Sequence, residues 1–175
     1  MLIIQTLIVF VLVAIFVQDL KSRAVYWFWF PVLVCLFSID GYFVRHQLIR
    51  MQWLSASIDL LFIGAQLLLV SLYFSIKQRQ WVNISRELLG WGDILFLVSI
   101  AFYFSILNYL LFYISSLIII CVFVLLCRIF SVKNNQQIPL AGLQALILIV
   151  FLVVQLLDKN IDLTSDNWLL HYLYR

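Results

Sequence analysis

One stretch of this chain is too long and too apolar to be a single membrane-spanning helix. Residues 91–130 include only two charged side chains, Asp93 and Arg128. As one helix, these forty residues would extend about 60 Å, twice a hydrocarbon core of about 30 Å. The run is therefore predicted to fold back on itself, and the polar residues 105–108 are the expected place.

The composition extends this argument to the whole chain. Of the 175 residues, 66% are hydrophobic and 11% are charged, whereas soluble domains average about 45–50% and about 25%. A soluble fold of this size could not bury so much apolar surface. We therefore predict an all-α, polytopic membrane bundle of about six transmembrane helices. They are expected near residues 2–17, 25–44, 53–76, the two halves of 91–130, and 138–157.

The distribution of Lys and Arg predicts how this bundle is oriented. The loops after the first, third and fifth spans hold seven basic residues, and the opposite loops and tail hold four. The excess of positive charge marks the cytoplasmic side. The bundle, residues 1–157, would then be followed by a tail outside the cytoplasm, residues 158–175. A net charge of only +3 does not suggest a basic face that could bind nucleic acid, so no nucleic-acid partner is expected. The apolar spans are expected to contact the lipid bilayer.

Two carboxylates are predicted to share the cytoplasmic side. Asp19 ends the first span and Asp93 opens the fourth. Because two crossings separate them, both must reach the same face of the membrane. Gly90 and Gly92 beside Asp93 would allow unusual backbone conformations and a close approach by another chain segment.

Each carboxylate also has a purely structural interpretation. Asp93 could cap the helix that it opens, and Asp19 could pair with Lys21 or Arg23 near the membrane surface. Together, however, two adjacent carboxylates share a proton more readily than they both ionise. One could then activate a water molecule while the other protonates a substrate amide, which is the chemistry of aspartic proteases.

Three motifs in order resemble the type IV prepilin peptidases, membrane aspartyl proteases of the GxGD kind. These are "DLKSRAV" at residues 19–25, "GWGD" at residues 90–93 and "QQIPLAGLQA" at residues 136–145. The resemblance implies that Asp19 and Asp93 are the catalytic residues. It implies that Gly90 and Gly92 support the active-site backbone. Arg23, Pro139 and Gly142 would be candidate residues of a substrate groove. It implies neither a cofactor nor a metal.

The resemblance also implies a substrate and a location. The substrates would be prepilin-like proteins with a basic leader, cut on the cytoplasmic side of a prokaryotic inner membrane during type IV pilus assembly or protein secretion. The cysteine-rich region of some relatives is missing, which suggests a peptidase-only form. Tyr26, Trp27 and Leu95 depart from the family pattern. A non-catalytic membrane subunit of a pilus or secretion assembly is therefore an alternative, and a transporter with buried carboxylates is a weaker third.

Several other polar residues have two interpretations. Pro139 could simply start the last helix, and Asp40 and Asp59 within spans could be functional groups or bundle-facing polar contacts. The carboxylates of the tail, Asp158, Asp162 and Asp166, are expected to be solvated. The cysteines, Cys35, Cys121 and Cys127, are expected to be buried small hydrophobes.

Overall fold

The computed structural model describes residues 2–44, 49–78, 90–130, 139–158 and 161–173. Over these residues the chain is all-α, as predicted, with seven α-helices, one π-helical segment and no strand. The elements are α1 (Leu2–Ser22), α2 (Trp29–Ile39), the π-helical segment (Asp40–Val44), α3 (Ile49–Gln78), α4 (Trp91–Ile100), α5 (Ile106–Phe130), α6 (Leu140–Leu157) and α7 (Asn167–Leu173).

Four of the six predicted spans have the length and apolar character to cross a membrane, namely α1, α3, α5 and α6. The other two are shorter apolar helices: α2 has 11 residues and α4 has 10. At 1.5 Å per residue, α4 extends about 15 Å, half of a hydrocarbon core. Each of the six predicted runs thus contains an apolar helix, and two of these helices are shorter than predicted, because hydropathy reports how apolar a run is and not where its helix ends.

The fold-back inside residues 91–130 lies between Ala101 and Ser105, just before the predicted position. The hydroxyl of Tyr109 donates to the carbonyl of Leu97 at 3.4 Å. A straight helix would place these two residues about 18 Å apart along its axis. The chain therefore reverses here, and α5 runs back packed against α6 and α3.

The buried side chains of α1 recur every three or four residues, at Ile8, Leu12, Ile15 and Asp19. This spacing puts all four on one face of the helix. That face packs most extensively against α6, and α2 packs between α1 and α4. Asp19 is therefore the last position of the stripe that holds α1 in the bundle.

Residues 161–173 of the tail pack on the bundle instead of being solvated as predicted, whereas Asp158 is exposed as predicted. Leu163 belongs to the hydrophobic core, and its carbonyl accepts a hydrogen bond from the Ser105 amide. Asp166 Oδ1 accepts hydrogen bonds from Ser105 Oγ at 2.6 Å and from the amides of Leu107 and Asn108. This carboxylate caps the start of α5, because the first amides of a helix have no partner within it.

The expectation for the cysteines is also wrong, since Cys35, Cys121 and Cys127 are all exposed on the bundle surface. Lipid tails are as apolar as the side chains of the core, so a hydrophobic residue in a membrane can face outward without cost.

Six of the basic residues used to predict the orientation of the bundle lie outside the described part of the chain: Arg45, Arg79, Arg86, Lys133, Lys159 and Arg175.

Candidate functional site

Asp19 lies in the last turn of α1 and is 7% exposed. The helix ends at Ser22, and Arg23 takes a positive φ of 51°. A residue in this left-handed conformation commonly terminates a helix. The Arg23 amide donates to the Asp19 carbonyl at 2.9 Å, so the chain turns away directly after the carboxylate. Asp19 is thereby held at the end of the bundle rather than in its middle.

Asp93 lies in the first turn of α4, where Gly90 is the N-cap. The Oδ2 atom of Asp93 accepts a hydrogen bond from the Gly90 amide at 3.2 Å. Asp93 therefore caps its own helix from the third helical position, and its Oδ1 atom remains available to another element. Phe96, Leu97 and Ile100 are buried three, four and seven residues later, which places Asp93 on the core-facing side of α4.

The two carboxylates meet at the start of α6. The Ala141 amide donates to Asp93 Oδ1 at 2.8 Å, and the Gly142 amide donates to Asp19 Oδ2 at 2.6 Å. Pro139 is the N-cap of α6, so both amides belong to the first turn, where backbone N–H groups lack intrahelical partners. Consecutive amides of one turn therefore hold side chains that are 74 positions apart in the chain.

The electrostatics of this site come from the helix start and from the carboxylates themselves. The first turn of α6 presents the partial positive charge of a helix N-terminus, which favours nearby carboxylates. The two acids are close enough to interact electrostatically with each other. Within the described residues, neither Lys21 nor Arg23 donates a hydrogen bond to Asp19, so the proposed pairing with a basic neighbour is not seen.

The glycines of the site differ from their predicted roles. None of the described glycines has a positive φ, so neither Gly90 nor Gly92 uses a conformation that other residues avoid. A Cβ atom on Gly92 would meet Val25 at 3.9 Å, an ordinary van der Waals contact. A Cβ atom on Gly90 would lie 3.2 Å from Oδ2 of Asp93 in the same helix. The close approach between two helices lies at Gly142, where a Cβ atom would be 2.9 Å from the Asp19 Cβ.

The remaining residues implied by the resemblance surround the pair unequally. Pro139 and Gly142 lie at the start of α6, beside both carboxylates. Arg23 is exposed at the end of α1. Tyr26, Trp27 and Trp91 are each more than 60% exposed and lie close in sequence to Asp19 or Asp93. Such exposed aromatic rings are typical of the membrane–water interface.

Sequence reasoning missed the Ala141 amide, which binds Asp93. A backbone group has no side-chain signature, and the only available signal was Pro139, which marks where a helix with free amides begins. Asp59, for which the sequence left a functional and a bundle-facing interpretation open, is 1% exposed, and its Oδ2 atom has no hydrogen-bond partner among the described residues. Asp59 interacts electrostatically with Asp166, at the other end of the bundle.

A cavity of about 170 Å³ also lies at that other end, between the start of α1 and the end of α6. Its lining includes Gln5, Ile8, Tyr103 and Leu152. The cavity touches neither Asp19 nor Asp93 and belongs to a different part of the molecule.

The arrangement at the start of α6 is chemically competent for proton transfer, because two carboxylates share a partly buried, polar position. It is equally an arrangement in which two side chains from other helices cap α6. No protein-family model, curated protein or solved structure matches this chain.

Proposed function

We propose that this chain is a membrane-embedded aspartic endopeptidase that removes basic leader peptides from prepilin-like substrates. The observation that supports this most strongly is the convergence of Asp19 and Asp93 on adjacent amides of α6. Two acids from separate helices, held side by side near the end of a membrane bundle, are the minimum equipment for acid–base hydrolysis of an amide.

The proposed reaction uses one carboxylate as general base and the other as general acid. The base takes a proton from a water molecule as the oxygen of that water attacks the scissile carbonyl carbon. The acid gives its proton to the substrate, and the C–N bond breaks to leave a new carboxyl and a new amine. Low local polarity strengthens these electrostatic interactions, and the burial of Asp19 and the partial burial of Asp93 fit that requirement.

The position of the pair favours a substrate that lies mostly in the membrane. Asp19 is in the last turn of a spanning helix, and exposed aromatic residues neighbour it in the chain. A scissile bond would therefore lie at the membrane interface, just before the apolar helix of the substrate. The segment at the cut must be extended, because a helix already uses its own backbone N–H and C=O groups. The cytoplasmic side of a prokaryotic inner membrane is the proposed location.

The direct test is co-expression with a candidate prepilin, with leader loss read from gel mobility. Asp19→Asn and Asp93→Asn each remove one acid but retain the size of the side chain and an oxygen acceptor. We expect each variant to slow processing by about 100-fold to 10,000-fold, the usual contribution of a general acid or base. Asp59→Asn is the matched control, since it alters another buried aspartate, which lies beside Asp166 at the other end of the bundle from the start of α6.

Membrane insertion of all three variants, and thermal unfolding of Asp19→Asn and Asp93→Asn, should resemble those of the parent. Processing at the parental rate by either Asp19→Asn or Asp93→Asn would overturn the proposal.

The second candidate is a non-catalytic membrane subunit of a pilus or secretion assembly. The hydrogen bonds themselves favour it, because each carboxylate accepts a hydrogen bond from an amide at the start of α6. A carboxylate with a purely structural capping role would make the same hydrogen bond. Under this alternative, Asp19→Asn and Asp93→Asn would reduce stability by about 1 kcal/mol, and the parent would cleave none of the candidate prepilins.

A further inference from the structure

We infer that the first turn of α6 is a template that sets the separation of the two carboxylates, and that Gly142 is the positioning residue for Asp19. The catalytic part of this inference rests on the proposed function, and its geometric part rests on the hydrogen bonds of the Ala141 and Gly142 amides. Asp93 is bound by the Ala141 amide and Asp19 by the amide of the next residue. The spacing of the pair is therefore fixed by consecutive amides of one helical turn rather than by the loops that lead to α1 and α4.

Gly142 is the point at which this template is most sensitive. A Cβ atom at this position would lie 2.9 Å from Asp19 Cβ, 3.0 Å from Asp19 Oδ2 and 3.3 Å from the Phe16 carbonyl oxygen. Two of these atoms are close to or part of the α1 backbone, and they cannot swing away as the tip of a long side chain could. An added methyl group would therefore have to push α1 away from the start of α6.

This displacement would act on one carboxylate and not on the other. Asp19 would lose its 2.6 Å hydrogen bond to the Gly142 amide. Asp93 is bound one residue earlier, by the Ala141 amide, and comes from α4 rather than α1. Substitution at Gly142 should consequently separate the two acids while the turn itself stays helical, because alanine is a better helix former than glycine.

Gly142→Ala is the variant that tests the template, and Gly64→Ala is its matched control. A Cβ atom at Gly64, within α3, would meet nothing within 4 Å. We expect Gly142→Ala to lower kcat by about 100-fold with little change in KM, which is the effect of a misplacement of about 1 Å at reacting groups. Gly64→Ala should retain the parental kcat and KM.

A second measurement is independent of any peptidase activity. A hydrophobic carbodiimide labels accessible carboxyl groups, and mass spectrometry can follow the labelling of Asp19 and Asp93 within the same molecules. In Gly142→Ala we expect labelling of Asp19 to rise about tenfold, the factor that corresponds to one lost hydrogen bond to a charged group. Labelling of Asp93 should stay at its parental level, and neither rate should change in Gly64→Ala.

These two measurements separate the inference from the proposed function. If Asp19 becomes selectively reactive but the parent cleaves no prepilin-like substrate, the template stands and the peptidase assignment fails. If Asp19 labelling is unchanged in Gly142→Ala, the template is wrong even for an active peptidase. A rise at both aspartates would show general loosening of the bundle, and this too would overturn the selective role of Gly142.

Discussion

The two ends of the bundle each place two carboxylates near the start of a helix, but they use them differently. At the start of α5, Asp166 accepts three hydrogen bonds through one oxygen, while the Oδ2 atom of its neighbour Asp59 has no partner among the described residues. At the start of α6, each of two adjacent amides donates to a different carboxylate, one to Asp19 and the other to Asp93.

This difference shows how one physical device can serve two purposes. The free amides and partial positive charge of a helix start attract carboxylates at both ends. Where one carboxylate satisfies the donors, the result is a cap. Where two carboxylates from different helices each take one amide of the same turn at the edge of the bundle, they lie side by side, and a proton can be held by either of them. The shared arrangement is therefore the better candidate for chemistry.

The largest effect on stability is expected at the cap of α5. Asp166→Ala leaves the Ser105 hydroxyl and the amides of Leu107 and Asn108 without their acceptor. We expect a loss of about 2 kcal/mol in the free energy of unfolding, the upper value for a helix cap. The measurement is thermal or denaturant unfolding in one detergent.

Two controls sharpen this prediction. Asp166→Asn keeps an acceptor oxygen and should lose less stability than Asp166→Ala. Asn167→Ala alters the next residue, which is exposed, and should have little effect. Folded Asp166→Ala protein should process a prepilin-like substrate at the parental rate; a selective loss of processing would contradict the separation between the two ends of the bundle.

A smaller effect of opposite sign is expected at Asp59. Asp59→Asn removes an acid from beside Asp166 and replaces it with a side chain of equal size. We expect unfolding to become harder by about 1 kcal/mol, because acids that face each other in a buried place oppose each other's charge. A decrease in stability of similar size would show that the Asp59 carboxyl has a favourable partner, and the contrast between the two ends would then weaken.

The sequence predicted the fold class, and the structure confirms that part. An all-α membrane protein follows from apolar runs that only a bilayer can accommodate, and the reversal within residues 91–130 follows from helix length alone. The ends of α2 and α4 could not be predicted in the same way. They depend on where each helix stops, at Ile100 for α4, and apolar character continues past that point.

The candidate site could be predicted only in its side chains. The predicted order of six spans puts Asp19 and Asp93 on one side, and the hydrogen bonds to adjacent amides place them together whatever the length of α2. Their common partner is a pair of backbone amides, which every residue type except proline carries, so no pattern of side chains could identify it. The capping role of Asp166 was missed for a related reason, since it depends on a tertiary contact between the tail and the α4–α5 turn.

The smallest expected effect distinguishes two glycines, one in the motif at residues 90–93 and one in the motif at residues 136–145. Gly92 is in the first turn of α4 with no positive φ, and a Cβ atom there would meet Val25 at an ordinary 3.9 Å. Gly92→Ala should therefore raise stability slightly, by about 0.5 kcal/mol, because alanine loses less conformational entropy on folding. Its processing rate should stay close to that of the parent, in contrast to Gly142→Ala. If Gly92→Ala folds normally but cannot process the substrate, the space beside Gly92 must be occupied by the substrate peptide during cleavage. The contact that limits the site would then be between α4 and the substrate, rather than between α1 and α6.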